Sequence, residues 1–238
     1  MKKFIVEDPF WQIFPDAKIG VVICRGIDNS VGDRERYQKM LLDAENEALK
    51  YLKNPTFSEN DVIKTWREAF KKFKTKKGAR SSIEALLKRV NKGEHIGTIN
   101  PLVDIYNSIS LRYALPCGGE DIDKFVGDIR LTTASGSEGF VPLGSDENMP
   151  PYEGEVIYKD GEGAIVRCWN WRESVRTMLT GETTNAFLCI ELAAENRFKD
   201  LEMALENLST LVTENLGGTT KISILDIGNR GIAIDQKL

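Results

Sequence analysis

Residues 100–143 read NPLVDIYNSISLRYALPCGGEDIDKFVGDIRLTTASGSEGFVPL, and the character of the chain changes within them. The first part follows helix logic. Asn100-Pro101 has the form of an N-cap and a first helical residue. Leu102, Ile105, Ile109 and Tyr113 recur at the spacing of one buried helical face. Pro116 and the pair Gly118-Gly119 predict a helix that ends in a tight loop. From Gly127 the period shortens: DIRLTTA and GFVPL are β-like runs divided by glycine and acidic turns.

On the N-terminal side, a strand is predicted for KIGVVICRGI after Pro15. A helix over Asp33–Leu52 follows from apolar residues at Tyr37, Met40, Leu41, Ala44 and Ala48. Ser58 is read as the N-cap of a second helix, Glu59–Phe73, with Ile63, Trp66, Phe70 and Phe73 on one face. A third helix spans Ile83–Val90. On the C-terminal side, EVIY and AIVRCW flank the turn KDGEG as a hairpin, and NAFLCIEL is a further strand. Asn196 is read as the cap of a helix running to Glu214, closed by Gly217-Gly218, before a last strand, KISILDIG. Helices lead, strands follow and a helix returns. This is an α+β pattern: a helical N-terminal half packed on a mixed, largely antiparallel β-sheet, expected as one domain over residues 1–238.

The chain has 238 residues, 41% hydrophobic and 29% charged, as an ordinary globular protein has. Its apolar runs are too short to span a bilayer, so no membrane partner is expected. The start, MKKFIVEDPFW, carries no apolar signal core. Cys24, Cys117, Cys168 and Cys189 form no C-x-x-C, which fits reduced thiols and a cytoplasmic location. The single histidine, His95, rules out a multi-histidine metal site, and no Walker A loop, G-x-G-x-x-G or H-E-x-x-H occurs, so no metal or cofactor is expected. Cys117 beside two glycines is either a nucleophile at an exposed turn or a small buried residue.

The net charge of −4 conceals an asymmetry. Between Lys64 and Lys92 lie eleven basic residues, opposed only by Glu68 and Glu84. Such a segment is either a solvated helix face or the footprint of a polyanion. A second unusual stretch, VRCWNWRESVRTML, places Trp169 and Trp171 two residues apart, pointing the same way if the segment is a strand. The rings are either core or a wall of aromatic and guanidinium groups around a ligand.

Several stretches taken in order resemble one family. NPLVDIYN, through Asn100, Val103, Asp104 and Asn107, resembles the helix of the B3/B4 domain, the tRNA-editing module of the bacterial phenylalanyl-tRNA synthetase beta subunit. Pro116 resembles that module's turn proline, and Gly127, Ile129, Ala134, Gly136 or Ser137, and Glu138 its following strand and turn. TTNAFLCIE resembles its T-T-x-x-x-L-x-E segment. The resemblance covers about Asn100 to Leu192, and the whole looks like a freestanding B3/B4 protein. Two departures stand out. The family's turn histidine falls near Gly118, and its glycine-rich pocket segment is replaced by RCWNWRES.

The resemblance implies a trans-editing hydrolase that removes a wrong amino acid from the 3′ end of a tRNA, by a positioned water with backbone stabilisation of the oxyanion. Asn107 and the Cys117-Gly118-Gly119 loop are the catalytic candidates, the loop serving either as N–H donors or as a helix stop. Substrate is expected at Trp169, Asn170, Trp171, Arg172, Arg176 and Glu191, with Glu191 at the position of the family's side-chain-reading glutamate. Trp169 and Trp171 would stack on the terminal adenine, with Arg167 beside them. Lys71, Lys72, Lys76, Lys77, Arg80 and Ser82 are expected to take tRNA phosphates, Ser82 being otherwise a plain N-cap. DNA is not expected, and the oligomeric state is not legible. The alternatives are a tRNA- or RNA-binding module without catalysis, a hydrolase of small amino-acid esters or amides, and a binding protein for a free amino-acid derivative.

Overall fold

A computed structural model of the chain describes residues 1–30 and 32–235; the one-domain expectation over residues 1–238 thus extends to positions outside the described residues. In chain order the elements are β1 (Lys3–Val6), α1 (Asp8–Ile13), β2 (Lys18–Arg25), α2 (Arg34–Ala48), α3 (Asp61–Phe70), α4 (Ser82–Asn91) and α5 (Pro101–Tyr113). There follow β3 (Cys117–Asp121), β4 (Ile129–Thr133), β5 (Val156–Lys159), β6 (Ala164–Arg167), β7 (Arg172–Glu173), β8 (Asn185–Leu192), α6 (Phe198–Leu216), β9 (Thr219–Leu225) and β10 (Gly231–Ala233). Two sheets result. One has the order β10-β1-β4-β5-β6-β7, the other β3-β8-β2-β9. Among the described residues only β1 and β4 run parallel; every other strand pair is antiparallel. The α+β class and the mixed, largely antiparallel sheet are as the sequence predicts. Among the described residues no helix is long and apolar enough to cross a membrane.

The two faces of the four-stranded sheet divide the core. Ala186, Leu188 and Ile190 of β8 point to α5 and α6. Phe187 and Cys189 point the other way, toward the six-stranded sheet. There Phe4 of β1 stacks on Tyr158 at 5.9 Å between centroids and meets Phe187 edge-on at 5.0 Å. Alternation along β8 thus assigns Glu191 to the inter-sheet face.

The predicted caps shift. Asn100 does cap α5, accepting from the Val103 N–H. That helix ends at Ala114, which takes a left-handed φ of 45°. The tight loop predicted at Gly118-Gly119 is instead strand β3, paired with β8. The glycines are there for packing. A Cβ on Gly119 would lie 2.5 Å from Leu188 Cδ2 and 2.9 Å from Leu179 Cδ1. The cap of α3 is Asn60, not Ser58, which lies in a short 3₁₀ turn over Phe57–Glu59. Asn196 likewise lies in a 3₁₀ turn, and Arg197 occupies the N-cap position of α6. GFVPL forms no strand; Pro142 makes one isolated bridge to Ser174. The cap of α4 is Ser81, whose hydroxyl accepts from the Glu84 N–H at 3.3 Å. Ser81→Ala should cost about 1 kcal/mol and Ser82→Ala less than about 0.5 kcal/mol in denaturant unfolding. Equal losses would contradict this assignment.

Candidate functional site

The segment after β6 does not continue as a strand. Cys168 and Trp169 both have positive φ, 47° and 63°, a backbone region that non-glycine residues rarely enter. The chain reverses there into β7. The two tryptophans therefore do not share a direction. Trp169 is driven inward, fully buried, with Phe14, Phe10 and Trp66 at 4.5, 5.0 and 5.0 Å between centroids. Trp171 is half-buried, and the exposed Arg172 guanidinium lies 5.1 Å over its ring. Of the two rings only Trp171 is partly exposed, and a base would stack there by displacing the exposed side chain of Arg172 or beside it.

This turn forms one wall of a cavity of about 300 Å³ between the sheets. Opposite stand Gly118 and Glu120 of β3 with Phe187, Cys189 and Glu191 of β8. Tyr158 closes one side and Ser82, at the start of α4, another. A Cβ on Gly118 would point at the Glu173 carboxylate, 3.5 Å from Oε1. The absent side chain keeps the cavity open.

Glu191 is buried and held by two strong donors, with the Cys189 thiol 3.9 Å from Oε1 as a weaker third. The Tyr158 hydroxyl donates to Oε1 at 2.7 Å and the Asn170 amide to Oε2 at 2.9 Å. Burial nevertheless pushes its carboxyl up to about 8. The Asn170 carbonyl in turn accepts from the Ser82 backbone N–H at 3.3 Å. That backbone group can only donate, which fixes the amide's orientation. Glu173 is pushed up to about 7 by burial, against a hydrogen bond from the Gly119 N–H. Glu120 is raised well above the carboxylate range by burial and by the Glu173 charge.

The other candidates sort plainly. Cys117 faces α5, with Ile190, at the end of the strand that borders the cavity. Burial first, then the charges of Glu191 and Glu173, raises its thiol well above the usual range, so it is a poor nucleophile. Asn107 sits on α5, on the far side of the sheet, and does not line the cavity. Arg176 is committed elsewhere: it forks onto Asp160 at 2.7 and 2.9 Å. Arg167 is buried against Glu155 at 2.5 Å. Both are structural ion pairs of the hairpin. Ser82 is not the cap of its helix; it contributes its backbone N–H to Asn170. Lys76 and Lys77 line a second depression together with Trp171 and Arg172, next to the cavity mouth. Lys71 pairs with Glu68 at 2.5 Å, and the Lys72 ammonium lies 5.4 Å over the Phe14 ring. Arg80, half-buried, borders neither the cavity nor the second depression. His95 bonds Glu45 at 2.8 Å, away from the cavity. Sequence reading missed Glu120, Tyr158 and Glu173. Only the two-residue period of DIRLTTA and EVIYK hints at Tyr158, and Glu173 becomes visible only once the reversal at Trp169 is known.

Residues 65–212 match the model of the B3/4 domain. The chain belongs to the B3/4 domain family. A B3/4 relative, the phenylalanine–tRNA ligase beta subunit of Mycoplasmoides gallisepticum, is 39% identical over 71 residues, which is 30% of this chain and 9% of that one. An N-terminal fragment of the phenylalanyl-tRNA synthetase beta-subunit from Pyrococcus horikoshii superposes with a TM-score of 0.48 at 16% identity. That superposition covers 91% of the B3/4 chain and 49% of the fragment. The B3/4 chain thus spans a small part of the curated relative and about half of the solved fragment.

Proposed function

We propose that this chain is an aminoacyl-tRNA deacylase, hydrolysing the ester of a mischarged tRNA. The observation that supports it most is a juxtaposition. An acceptor-rich, buried cavity of amino-acid size opens beside a basic depression that contains Lys76, Lys77, Trp171 and Arg172. The aminoacyl group enters the cavity, the terminal adenine stacks on Trp171, and the phosphates lie along the lysines. The name of one relative, a phenylalanine–tRNA ligase beta subunit, agrees with this reading.

The chemistry asks little of the side chains. An aminoacyl ester is already activated. Water adds to its carbonyl, the bond to the ribose oxygen breaks, and the water's proton reaches that oxygen through the neighbouring ribose hydroxyl. Free amino acid and uncharged tRNA leave. The ester carbonyl approaches β3 at Gly118, where no side chain intervenes. Asn170, oriented by Ser82 and Glu191, holds the water or a polar group of the amino acid.

Incubation with tRNAs bearing cognate and mismatched amino acids is the direct test. Loss of one mismatched ester well above the spontaneous rate is expected; no loss across a full panel would sink the proposal. Changing Lys71, Lys72, Lys76 and Lys77 together to glutamate should lower the rate at least about 100-fold at moderate salt, because a polyanion contact depends steeply on charge. A variant that keeps full tRNA deacylation at moderate salt would show that these lysines are not the tRNA face, and hydrolysis of a small amino-acid ester untouched by the four changes would point to a small substrate. Steep salt-dependent tRNA binding without hydrolysis would point to a binding module.

A further inference from the structure

The cavity has an imbalance that its hydrogen bonds do not resolve. Glu120 is 4% exposed, and neither of its carboxylate oxygens has a partner. The Thr177 hydroxyl stands beside it but completes no hydrogen bond. Glu173 is next to it and takes only the Gly119 N–H. The Ser82 hydroxyl is also unpartnered. Against these acceptors the lining offers few donors. The Trp169 indole N–H is buried and stands beside Glu191 without completing a hydrogen bond of full geometry. The lining contains one cationic side chain, Arg172, at the exposed rim, and no lysine or histidine. A buried, unmet carboxylate is costly and is ordinarily relieved by a partner. Here an open volume stands where that partner belongs.

We propose that the cavity binds an alkylammonium group, seated against Glu120 and Glu173. The inference rests on reading the cavity as the aminoacyl pocket and names the chemistry of its occupant. An ammonium brings three donors and a positive charge to a place with several free acceptors, and its charge favours the ionised form of the two carboxyls it meets. The remaining volume is bounded by apolar groups, among them Phe187, Phe125 and Ile165, which suit a short aliphatic stem. The Glu191 subsite is separate, its two oxygens already met by Tyr158 and Asn170. Two sources supply the same chemistry: the α-amine that every aminoacyl ester carries, and the terminal amine of a basic side chain.

Four small probes separate these, titrated into the full chain and followed by NMR without tRNA. L-lysinamide carries both amines, L-norleucinamide only the α-amine, Nα-acetyl-L-lysinamide only the side-chain amine, and Nα-acetyl-L-norleucinamide neither. Binding of the first three, or of either single-amine probe, at least about 10-fold tighter than the last is the expected result. The tighter single-amine probe names the source. Glu120→Gln, which removes the charge but keeps the shape, should lose that preference at an unchanged melting temperature, as should Glu173→Gln. Glu162→Gln, on the surface turn, should not. Equal affinity for all four probes, binding of none, or a preference that survives both cavity substitutions overturns the proposal. The readout is independent of catalysis. Ammonium-selective binding with no deacylation of any charged tRNA would sink the deacylase reading and leave this subsite. Deacylation without an ammonium preference would do the reverse.

Discussion

Gly118→Leu is expected to lower deacylation at least about 100-fold while moving the melting temperature by no more than about 3 °C. The position has an ordinary backbone conformation, so a side chain brings no φ penalty. Its Cβ would sit 3.5 Å from Glu173 Oε1, an ordinary contact, and the rest of a leucine would extend into a void of about 300 Å³. Filling an existing void does not force packed neighbours apart, so stability is largely kept. The ester loses the space it needs, and a misplacement of about 1 Å already costs on the order of 100-fold. Gly119→Ala is the matched control. Its Cβ would press on Leu188 and Leu179 at 2.5 and 2.9 Å, on the face away from the cavity. That variant should lose about 1–3 kcal/mol of stability, as overpacking does, and keep more activity than Gly118→Leu. Full activity in Gly118→Leu would show that the cavity is not the site.

The second large effect concerns pH. The folded carboxyls of Glu173 and Glu191 sit at about 7 and about 8, raised by burial from 4.5. Between those values the folded chain holds protons that the unfolded chain has released. The stability linked to them is fully present below about pH 4.5 and is lost as pH rises through about 7 to 8. Glu120 is raised in the same direction. The thiols of Cys117 and Cys189 and the Tyr158 hydroxyl are pushed far above their usual ranges by burial and do not titrate in this window. The ligand-free protein should therefore melt about 5–10 °C lower at about pH 8.5 than at about pH 5. Glu191→Gln removes one of the titrating groups. Its amide nitrogen can face Tyr158, whose hydroxyl also accepts, so the network survives. The slope should flatten in that variant. Glu138 works with the opposite sign. Despite its burial, hydrogen bonds from the Ser135 backbone and Lys159 hold it at about 2, so its contribution is lost only as pH falls toward that value. A wild-type melting temperature that is flat or rising from about pH 5 to about pH 8.5 would refute the raised carboxyls.

What was legible in the sequence was what repeats. The apolar stripe of α5, the hairpin of β5 and β6, and the long strands β2 and β8 follow from periodicity, and Asn100-Pro101 announces its own cap. The short or compensated features were not legible. Strand β3 holds two glycines that read as a stop, because the reasons for them, Leu188, Leu179 and Glu173, lie elsewhere in the chain. Ser81 and Ser82 are equivalent as letters, and only the path of the backbone decides which one caps. In the site, Glu191 and Asn170 were reached from the resemblance and do line the cavity. Arg176 was not separable from Arg172 by sequence, since what removes it is an acid sixteen residues earlier, Asp160. Trp169 lines the cavity as expected but from the buried side, because two consecutive residues adopt a left-handed conformation that no glycine advertises.

Asn170 ties two regions together by one amide. Its oxygen takes the first backbone N–H of α4, at the end of the basic loop, and its nitrogen reaches Glu191 inside the cavity. A movement at either end must be followed at the other or forfeit a hydrogen bond, worth about 1 kcal/mol. If an anion bound on the loop shifts Ser82, the coupling to cavity occupancy through this amide is at most of that order and acts equally in both directions. On the deacylase proposal, a tRNA backbone on the loop would tune how tightly the cavity holds the aminoacyl group, and that group would tune how long the tRNA stays.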